Sequence, residues 1–492
     1  MQFRLMLDRD QVDRCRKMAR EIATQLEKYA GRHTSVAIER AALRAMGVHG
    51  ESRGQPLTEA VVEQIGKERL RDGAGYWLGY AMWKGKCDAQ AAAQHIAKSG
   101  LPTEIPRGLP HGEIRRIARS AAEPYFARVL ARQGKLDNAD MRRRGGPRAI
   151  VVVKTGHLKR DIEAVKGLAK AGVDGMLVRP PIAADKEHLT AKFGGWRGHQ
   201  YDLLEAVHKT GAAAGRALFI WGGNHLLMPE VLIDAAAESL HAVEYDCLTL
   251  TRLGKVHFKR AIVDQRFIFR FLPRAGIALQ VASDRWLDLV DGYSRGHELP
   301  MGIMLIEAMG EEAGLQPEQI SPCGGLVIRE SRAERLALEL AHAQLTRELF
   351  PHAALGFYCP AEETSPESLP LAVAIANVTE ASYCVLAGPG SRSVAIEAAM
   401  GAVHRLRAIG ALFNDTADDI AFSNNGKVIR RTHTVLNELT KALQMLHHRD
   451  FLKLTAEERE GLFAVPDGGA GIEGVLQKGK YYWHPVEEWA AK

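Results

Sequence analysis

Short apolar runs that alternate with helical stretches are the feature of this sequence that most constrains its fold. Eight β-rich runs begin at Ala149, and stretches with helical apolar periodicity fall between them. Eight strands, each followed by a helix, are typical of a (β/α)8 TIM barrel, so the sequence predicts an α/β protein of that class. The predicted strands are 149–155, 175–179, 217–221, about 246–250, 276–281, about 321–328, 354–359 and 382–387.

Segments of different character flank the predicted barrel. Residues 1–148 predict an N-terminal helical region, 149–408 the (β/α)8 barrel, and 409–492 a C-terminal helical and glycine-rich tail. The sequence therefore predicts one large domain with helical extensions, as the length of 492 residues also favours.

The N-terminal region contains one well-marked helix. Thr34 or Ser35 can cap the helix predicted for 36–47, and Gly47 closes it. No strand is predicted before Ala149.

The composition is that of an ordinary soluble globular protein, with 46% hydrophobic and 25% charged residues. The 65 basic and 59 acidic residues leave a net charge of +6, which is weak for a nucleic-acid-binding protein. The one dense basic cluster, at 142–148, fits either a solvated linker or a phosphate-binding stripe.

Cysteine usage and hydropathy predict a cytoplasmic protein. None of the six cysteines has a Cys-x-x-Cys spacing, which favours free thiols in a reducing compartment. No apolar run approaches the ~18 residues needed to span a bilayer. The N-terminus also lacks a signal-peptide pattern, so no association with membranes is expected.

Arg179 ends the second predicted strand and is the strongest candidate site residue. In parallel α/β folds, ligands bind at the carboxyl ends of the strands. An arginine there offers a planar fork for phosphate or carboxylate. The alternative is a structural ion pair with a loop carboxylate such as Asp185.

Other strand ends supply weaker candidates. His225 follows the third strand and fits either a site residue or a hydrogen-bonded structural histidine. Asp284 follows the fifth strand and fits either a site residue or the cap of the next helix. The loop Gly388–Ser393 fits either a phosphate cradle at a helix start or a simple turn. Tyr358 and Cys359, after the seventh strand, are candidates by position alone.

Common catalytic motifs are missing from the sequence. It has no Gly-x-x-x-x-Gly-Lys-Ser/Thr loop, no His-x-x-x-His spacing on a helix and no strand-linked Gly-x-Ser-x-Gly elbow. The 19 histidines are scattered, so no metal site is predicted. The residues alone indicate a barrel enzyme with an anion-binding arginine.

A co-linear set of segments gives the chain a family resemblance. These segments are His33–Gly50, Thr155–Gly156 through Arg179, Met228–Glu230, Val263–Gln265, Ala343–Pro351, and Asp467–Val475 followed by Tyr481, Tyr482 and Pro485. In this set the chain resembles the large (α) subunit of D-lysine 5,6-aminomutase and, more distantly, ornithine 4,5-aminomutase.

The resemblance implies an isomerase that migrates a terminal amino group by a radical route, using adenosylcobalamin and pyridoxal phosphate. In the family, the barrel subunit holds pyridoxal phosphate above its strand ends. A separate small Rossmann-like subunit binds cobalamin through an Asp-x-His-x-x-Gly motif and supplies the Schiff-base lysine. This chain carries no such motif, so the resemblance implies a partner subunit and a dimer of large–small pairs.

The resemblance also assigns cofactor residues. Arg179 matches the family's phosphate-binding arginine, and Asp284 matches an acidic residue of the pyridoxal site. Asn224 stands where the lysine enzyme has a serine that contacts the cofactor. His225 is the best placed residue to hydrogen-bond the phenolic oxygen, and with Asp284 it is the predicted catalytic pair.

Other positions depart from the family pattern. Thr249 replaces the tyrosine that stacks on the pyridine ring, and Ala184 replaces a phosphate serine. Gly254 replaces a site arginine, for which Arg252 is a substitute. Ser391 replaces the glutamate that reads the lysine substrate. Ser391 and the adjacent Arg392 are therefore predicted to bind a different amino-acid-like substrate.

Two alternatives follow from these departures. The first is a pyridoxal-independent barrel protein that has a cobalamin-binding partner and acts on another anionic substrate. The second is a non-catalytic subunit that docks a cobalamin protein.

Overall fold

The computed structural model describes residues 5–52, 54–104, 108–132, 146–155, 157–179, 189–190, 195–196, 218–222, 229–237, 240–246, 257–282, 297–325, 333–361, 368–388, 395–413, 420–449, 452 and 474–492.

Eight parallel strands form the centre of the molecule. Their hydrogen-bonded order is β4-β5-β8-β9-β10-β11-β12-β13, and β13 pairs again with β4, so the ring closes. The α/β class predicted from the sequence is confirmed. The strands are β4 (Arg148–Val153), β5 (Gly175–Val178), β8 (Leu218–Gly222), β9 (Ala242–Asp246), β10 (Ala278–Ala282), β11 (Ile320–Gly325), β12 (Gly356–Pro360) and β13 (Tyr383–Ala387).

Helices follow the strands on the outside. Between β5 and β8 the structure describes only the short strands β6 (Leu189–Thr190) and β7 (Gly195–Trp196), which pair with each other. Each of the other seven strands is followed by a described helix. These are α8 (Leu158–Ala171), α9 (Pro229–Ala236), α10 (Phe258–Ala275), α11 (Glu298–Glu312), α12 (Ala333–Leu349), α13 (Ser368–Val378) and α14 (Ile396–Phe413).

The position predicted for the fourth strand was wrong. The sequence predicted 246–250, whereas β9 covers Ala242–Asp246. The cause is Glu244, a charged residue in the middle of a buried strand, which interrupts the apolar pattern on which strand predictions depend. Its charge is compensated by an arginine across the barrel, and a sequence pattern cannot show that partner.

Alternate residues of the strands fill the inside of the barrel. Ile150, Val152, Leu177, Tyr358 and Tyr383 belong to one buried interior cluster. This packing requires a glycine at 356, because a Cβ there would lie 2.1 Å from the Tyr383 ring. The Tyr383 hydroxyl in turn lies 2.7 Å from the Ser321 hydroxyl.

The N-terminal region is helical, with three short strands. Its helices are α1 (Arg9–Gly31), α2 (Val36–Ala45), α3 (Leu57–Ile65), α4 (Lys67–Leu70), α5 (Ala74–Gly85), α6 (Ala89–Ser99) and α7 (His111–Arg132). The Ser35 cap of α2 is confirmed, because its hydroxyl accepts a hydrogen bond from the Ile38 amide at 3.2 Å.

The prediction of no strand before Ala149 was wrong. Strand β1 (His33–Ser35) pairs antiparallel with β14 (Val475–Gln477), and β2 (Glu51–Ser52) pairs with β3 (Gln55–Pro56). A three-residue strand whose partner lies at the other end of the chain leaves no local periodicity to detect.

The remaining described elements lie near the C-terminus. Helix α15 (Lys427–His448) packs against α1 and α12, and α16 (Pro485–Ala490) packs against α2 and α10. Within the described residues, no helix combines the length and apolarity that a membrane crossing needs.

Segment His33–Gly50, here called the strap, joins the N-terminal region to the barrel through ion pairs, one buried and one half-buried. Arg40 Nη2 lies 2.7 Å from Glu230 Oε2 on α9 and its Nη1 lies 3.8 Å from Glu59 Oε2. One turn later, Arg44 forms a bidentate pair with Asp234, also on α9, at 2.8 Å. Isolated buried charges are costly, so these pairs fix how the strap lies on the barrel.

Two further buried carboxylates, Asp264 and Glu39, connect the strap with its neighbours. Asp264 on α10 accepts hydrogen bonds from Ser35 and from Arg260, the latter at 2.6 Å. Glu39 accepts from the Thr34 hydroxyl and the Ala74 amide, both at 2.6 Å. Each is a hydrogen-bonded acceptor within the scaffold.

Candidate functional site

Of the residues predicted to bind the cofactor or substrate or to act in catalysis, the structure describes Arg179. The others lie outside the described residues and stay predictions. They are Asn224, His225, Arg252, Asp284, Ser391 and Arg392. The same holds for Ala184, Asp185, Thr249 and Gly254, which carried the comparison with the family.

Arg179 lies at the carboxyl end of β5. Its backbone amide donates to the Val153 carbonyl at 2.9 Å and so continues the parallel pairing with β4. Side chains alternate along a strand, and Leu177 faces the barrel interior. Arg179 therefore also points inward, and only 1% of its surface is exposed.

Among the described residues, side chains from two other strands hold the Arg179 guanidinium. Its Nε donates to Glu244 Oε2 at 2.9 Å and its Nη2 to Glu244 Oε1 at 2.5 Å. Nη2 also donates to the Tyr358 hydroxyl, and that hydroxyl donates to Glu244 Oε1. The guanidinium carbon lies 5.3 Å from the centre of the Tyr358 ring. We call this closed arrangement the Arg179–Glu244–Tyr358 triad.

The triad crosses the barrel interior. Strands β5, β9 and β12 are not neighbours in the sheet, so the three side chains meet only because the ring of strands closes. The sequence analysis named Arg179 and Tyr358 but missed Glu244. A carboxylate on a buried strand needs a buried cationic partner, but the sequence pattern does not show which residue that partner is.

Burial fixes the protonation of the groups around the ion pair. Desolvation raises the pKa of Tyr358 well above its usual value of 10, against the opposing effect of Arg179. Burial likewise raises the pKa of the nearby Cys323 thiol and of the Tyr383 phenol. The phenols and the thiol are thus neutral at physiological pH, and Tyr358 acts as a hydrogen-bond donor to Glu244.

Thr155 follows β4 and Cys359 lies near the end of β12, and the contacts of both residues support the fold. The Thr155 amide donates to Asp161 at 2.6 Å, and its hydroxyl donates to the His157 carbonyl at 3.1 Å, which shapes the start of α8. Cys359 belongs to the core between the strands and the outer helices, not to the barrel interior. These contacts give neither Thr155 nor Cys359 a role in binding a ligand at the carboxyl ends of the strands.

The triad fits an anionic group, with a limit on the affinity. A guanidinium binds phosphate or carboxylate in a forked geometry. Glu244 balances the charge of Arg179, so an incoming anion meets a neutral pair instead of a lone cation. Because the Coulomb energy falls with distance, an anion closer to the guanidinium than to Glu244 is still attracted. Arg179 therefore offers a fork to a phosphate or a carboxylate, at an affinity that Glu244 reduces.

Comparison with known proteins places this geometry in a family. The model of the D-lysine 5,6-aminomutase TIM-barrel domain of the alpha subunit matches residues 5–489. The lysine 5,6-aminomutase alpha subunit of Acetoanaerobium sticklandii is 25% identical, over 99% of this chain and 98% of that protein. The alpha subunit of Fusobacterium nucleatum is also 25% identical, over 98% of each chain.

Similarity to solved structures is lower. DAHP synthase of Thermotoga maritima is 12% identical, with a TM-score of 0.35. The match covers 55% of this chain and 70% of that one, and it is too weak to bear on function. The family match, in contrast, spans nearly the whole chain and names the barrel that the structure contains. The chain belongs to the D-lysine 5,6-aminomutase alpha-subunit family.

Proposed function

We propose that this chain is the large subunit of an adenosylcobalamin-dependent aminomutase, an isomerase that moves an amino group within an amino-acid substrate. The full-length match to the alpha-subunit family is the observation that carries the proposal. A buried arginine at the carboxyl end of a barrel strand supports it, because this is where such barrels bind ligands.

Pyridoxal phosphate is the proposed cofactor of the barrel. Arg179 would hold its phosphate, with Asn224 and Arg252 beside the cofactor. His225 and Asp284 would bind the ring and serve as the catalytic pair. When bound, the two cofactors supply the radical that starts the migration and the carbonyl carbon that receives the amino group.

The chain's own residues position the ligands and exclude water. Glu244 and Tyr358 keep Arg179 in one orientation, so its entropy is lost on folding and not on binding. The apolar barrel interior around Ile150, Leu177 and Val385 keeps water away from reactive intermediates. Ser391 and Arg392 would select the substrate, and in place of the family's glutamate they favour one other than lysine.

A small cobalamin-binding Rossmann-like subunit is the proposed partner. The family name alpha subunit implies a second subunit. We propose a dimer of large–small pairs in the cytoplasm, with the division into 1–148, 149–408 and 409–492 as its working domain plan.

Reconstitution tests the proposal. The full chain is mixed with its small subunit, adenosylcobalamin, pyridoxal phosphate and a panel of amino acids, and isomeric products are sought by mass spectrometry and NMR. We expect one substrate to be isomerised, and Arg179→Met to lower both pyridoxal phosphate binding and turnover by at least about tenfold, roughly one charged hydrogen-bonded contact. Arg14→Met is the matched control, because Arg14 is a surface residue of α1 with 61% side-chain exposure.

The alternatives give different results. Turnover that does not need pyridoxal phosphate would favour the pyridoxal-independent enzyme. Tight binding of the small subunit, with no product from any amino acid and no effect of Arg179→Met, would favour the docking subunit.

A further inference from the structure

We propose that Glu244 is a built-in counter-anion that occupies Arg179 when no ligand is bound, and so sets how tightly this site holds a phosphate or carboxylate. The inference deepens the proposed function and rests on its premise that an anionic group binds at Arg179. It concerns a residue that the resemblance to the family did not single out.

The geometry shows how fully Glu244 occupies the arginine. Both Glu244 oxygens accept from Arg179, at 2.9 Å from Nε and 2.5 Å from Nη2. The two side chains are 1% and 5% exposed, so water does little to screen their attraction. The Tyr358 hydroxyl bridges them and fixes their relative position.

The position of this pair distinguishes it from the ion pairs of the strap. The strap pairs Arg40–Glu230 and Arg44–Asp234 lie between helices on the outside of the barrel. The triad lies inside the barrel, and Arg179 is at the carboxyl end of its strand. An anion that approaches that end meets Arg179 and Glu244 together.

Removal of the Glu244 charge is predicted to strengthen anion binding, although it removes a contact of Arg179. In Glu244→Gln, the amide oxygen still accepts a hydrogen bond, but the negative charge that the structure places against the guanidinium is gone. A bound anion would take the place of that charge, and Glu244 would no longer repel it. The variant should therefore bind anions more tightly, whereas loss of a positioning or purely structural contact would not strengthen binding.

Ligand charge gives a second criterion. Repulsion by Glu244 acts on every charge of the ligand, so its removal should help a phosphate dianion more than a carboxylate monoanion. This comparison separates a phosphate-bearing cofactor from an acidic substrate as the natural occupant, because the two differ in charge and not in the kind of contact.

The test uses the full-length chain and three probes: inorganic phosphate, pyridoxal phosphate and acetate. Affinities are measured by calorimetry and by pyridoxal absorbance for the wild type, Glu244→Gln and Tyr358→Phe. We expect Glu244→Gln to bind phosphate and pyridoxal phosphate at least about fivefold more tightly, with a smaller gain for acetate. Tyr358→Phe keeps the Glu244 charge and should stay within about threefold of wild type.

Glu244→Asp is the second variant, for use if Glu244→Gln does not fold. It withdraws the carboxylate by one methylene and should give a smaller gain in phosphate affinity. Unchanged or weaker binding in both Glu244 variants, with binding abolished by Arg179→Met, would overturn the counter-anion role and leave the proposed function intact. Binding that Arg179→Met does not alter would overturn both.

Discussion

The strap and the triad both bury an arginine against carboxylates, yet they differ in what surrounds them. Arg40 and Arg179 each have 1% of their side-chain surface exposed. Arg40 faces Glu230 and Glu59, which come from helices packed around it, and no strand end lies in that set. Arg179 faces Glu244 across the interior of the barrel. Burial of an ion pair is therefore no sign of function by itself, whereas its position in the fold is informative.

The comparison also separates what identifies the family from what carries the chemistry. The clearest resemblance, at His33–Gly50, falls on the strap, whose charged residues join helices to one another. The departures Thr249, Gly254 and Ser391 all fall in the predicted pocket, outside the described residues. A chain can thus be recognised by its scaffold while its substrate is decided elsewhere.

The largest effect is expected from Arg40→Met. It removes the cation that lies against Glu230 and Glu59 in the structure, and breaking a buried pair in this way costs about 3–5 kcal/mol. Urea unfolding should show that loss, while the phosphate affinity of the folded fraction stays at the wild-type value. A comparable fall in phosphate affinity would mean that strap and barrel mouth are coupled, and the contrast between them would fail.

A smaller effect is expected from Glu307→Gln, which tests a scaffold carboxyl outside both regions. Glu307 lines a cavity of about 200 Å³ between α1 and α11, close to Arg16, Arg20 and Glu311. Burial, and then the Glu311 charge, raise its pKa from 4.5 to about 7. Between these two values the folded state holds a proton that the unfolded state has released, so stability falls as pH rises through this window.

The glutamine variant removes this penalty. We expect it to be more stable than wild type at pH 8, on the order of 1–3 kcal/mol, and equal to it near pH 4. Urea midpoints across pH 4–8 provide the measurement. A constant difference at all pH values would show that Glu307 does not titrate in this range, and would leave the cavity without a role in pH dependence.

The smallest effect is expected from Tyr358→Phe, which removes the hydroxyl of the triad but keeps its ring. A single hydrogen-bonding group contributes roughly 0.5–1.5 kcal/mol net, so the thermal midpoint should fall only slightly. Aminomutase turnover of the same variant is measured as well, to compare its effect on the reaction with its effect on stability. A loss of a hundredfold or more would assign the phenol a part in the reaction, beyond holding Arg179 and Glu244.

Sequence reasoning succeeded where the information is local. The strand–helix alternation gave the α/β class, the Ser35 cap was read from a single polar residue, and Arg179 was placed at a strand end by the run before it. Each of these depends on residues within about one helix turn or one strand of each other.

Sequence reasoning failed where a residue or strand has its contact partner far away along the chain. Glu244 is separated from Arg179 by 65 positions, and its burial makes sense only once the barrel has closed. Strand β1 failed for the same reason, since three residues carry no period that would distinguish a strand from a loop. Most of the predicted pocket lies in the loops after the strands, where pattern and propensity are least informative.

The pairing of β1 with β14 has a consequence for how the chain is made. His33–Ser35 has no strand partner until Val475–Gln477 has been synthesised, and the Lys478 amide adds a further bond to the Arg32 carbonyl at 2.9 Å. The amino-terminal end of the strap can therefore form its strand pairing only after residues 475–477 have been synthesised. On the ribosome, a segment that is synthesised more than 400 residues before its partner strand is completed only after that strand has appeared.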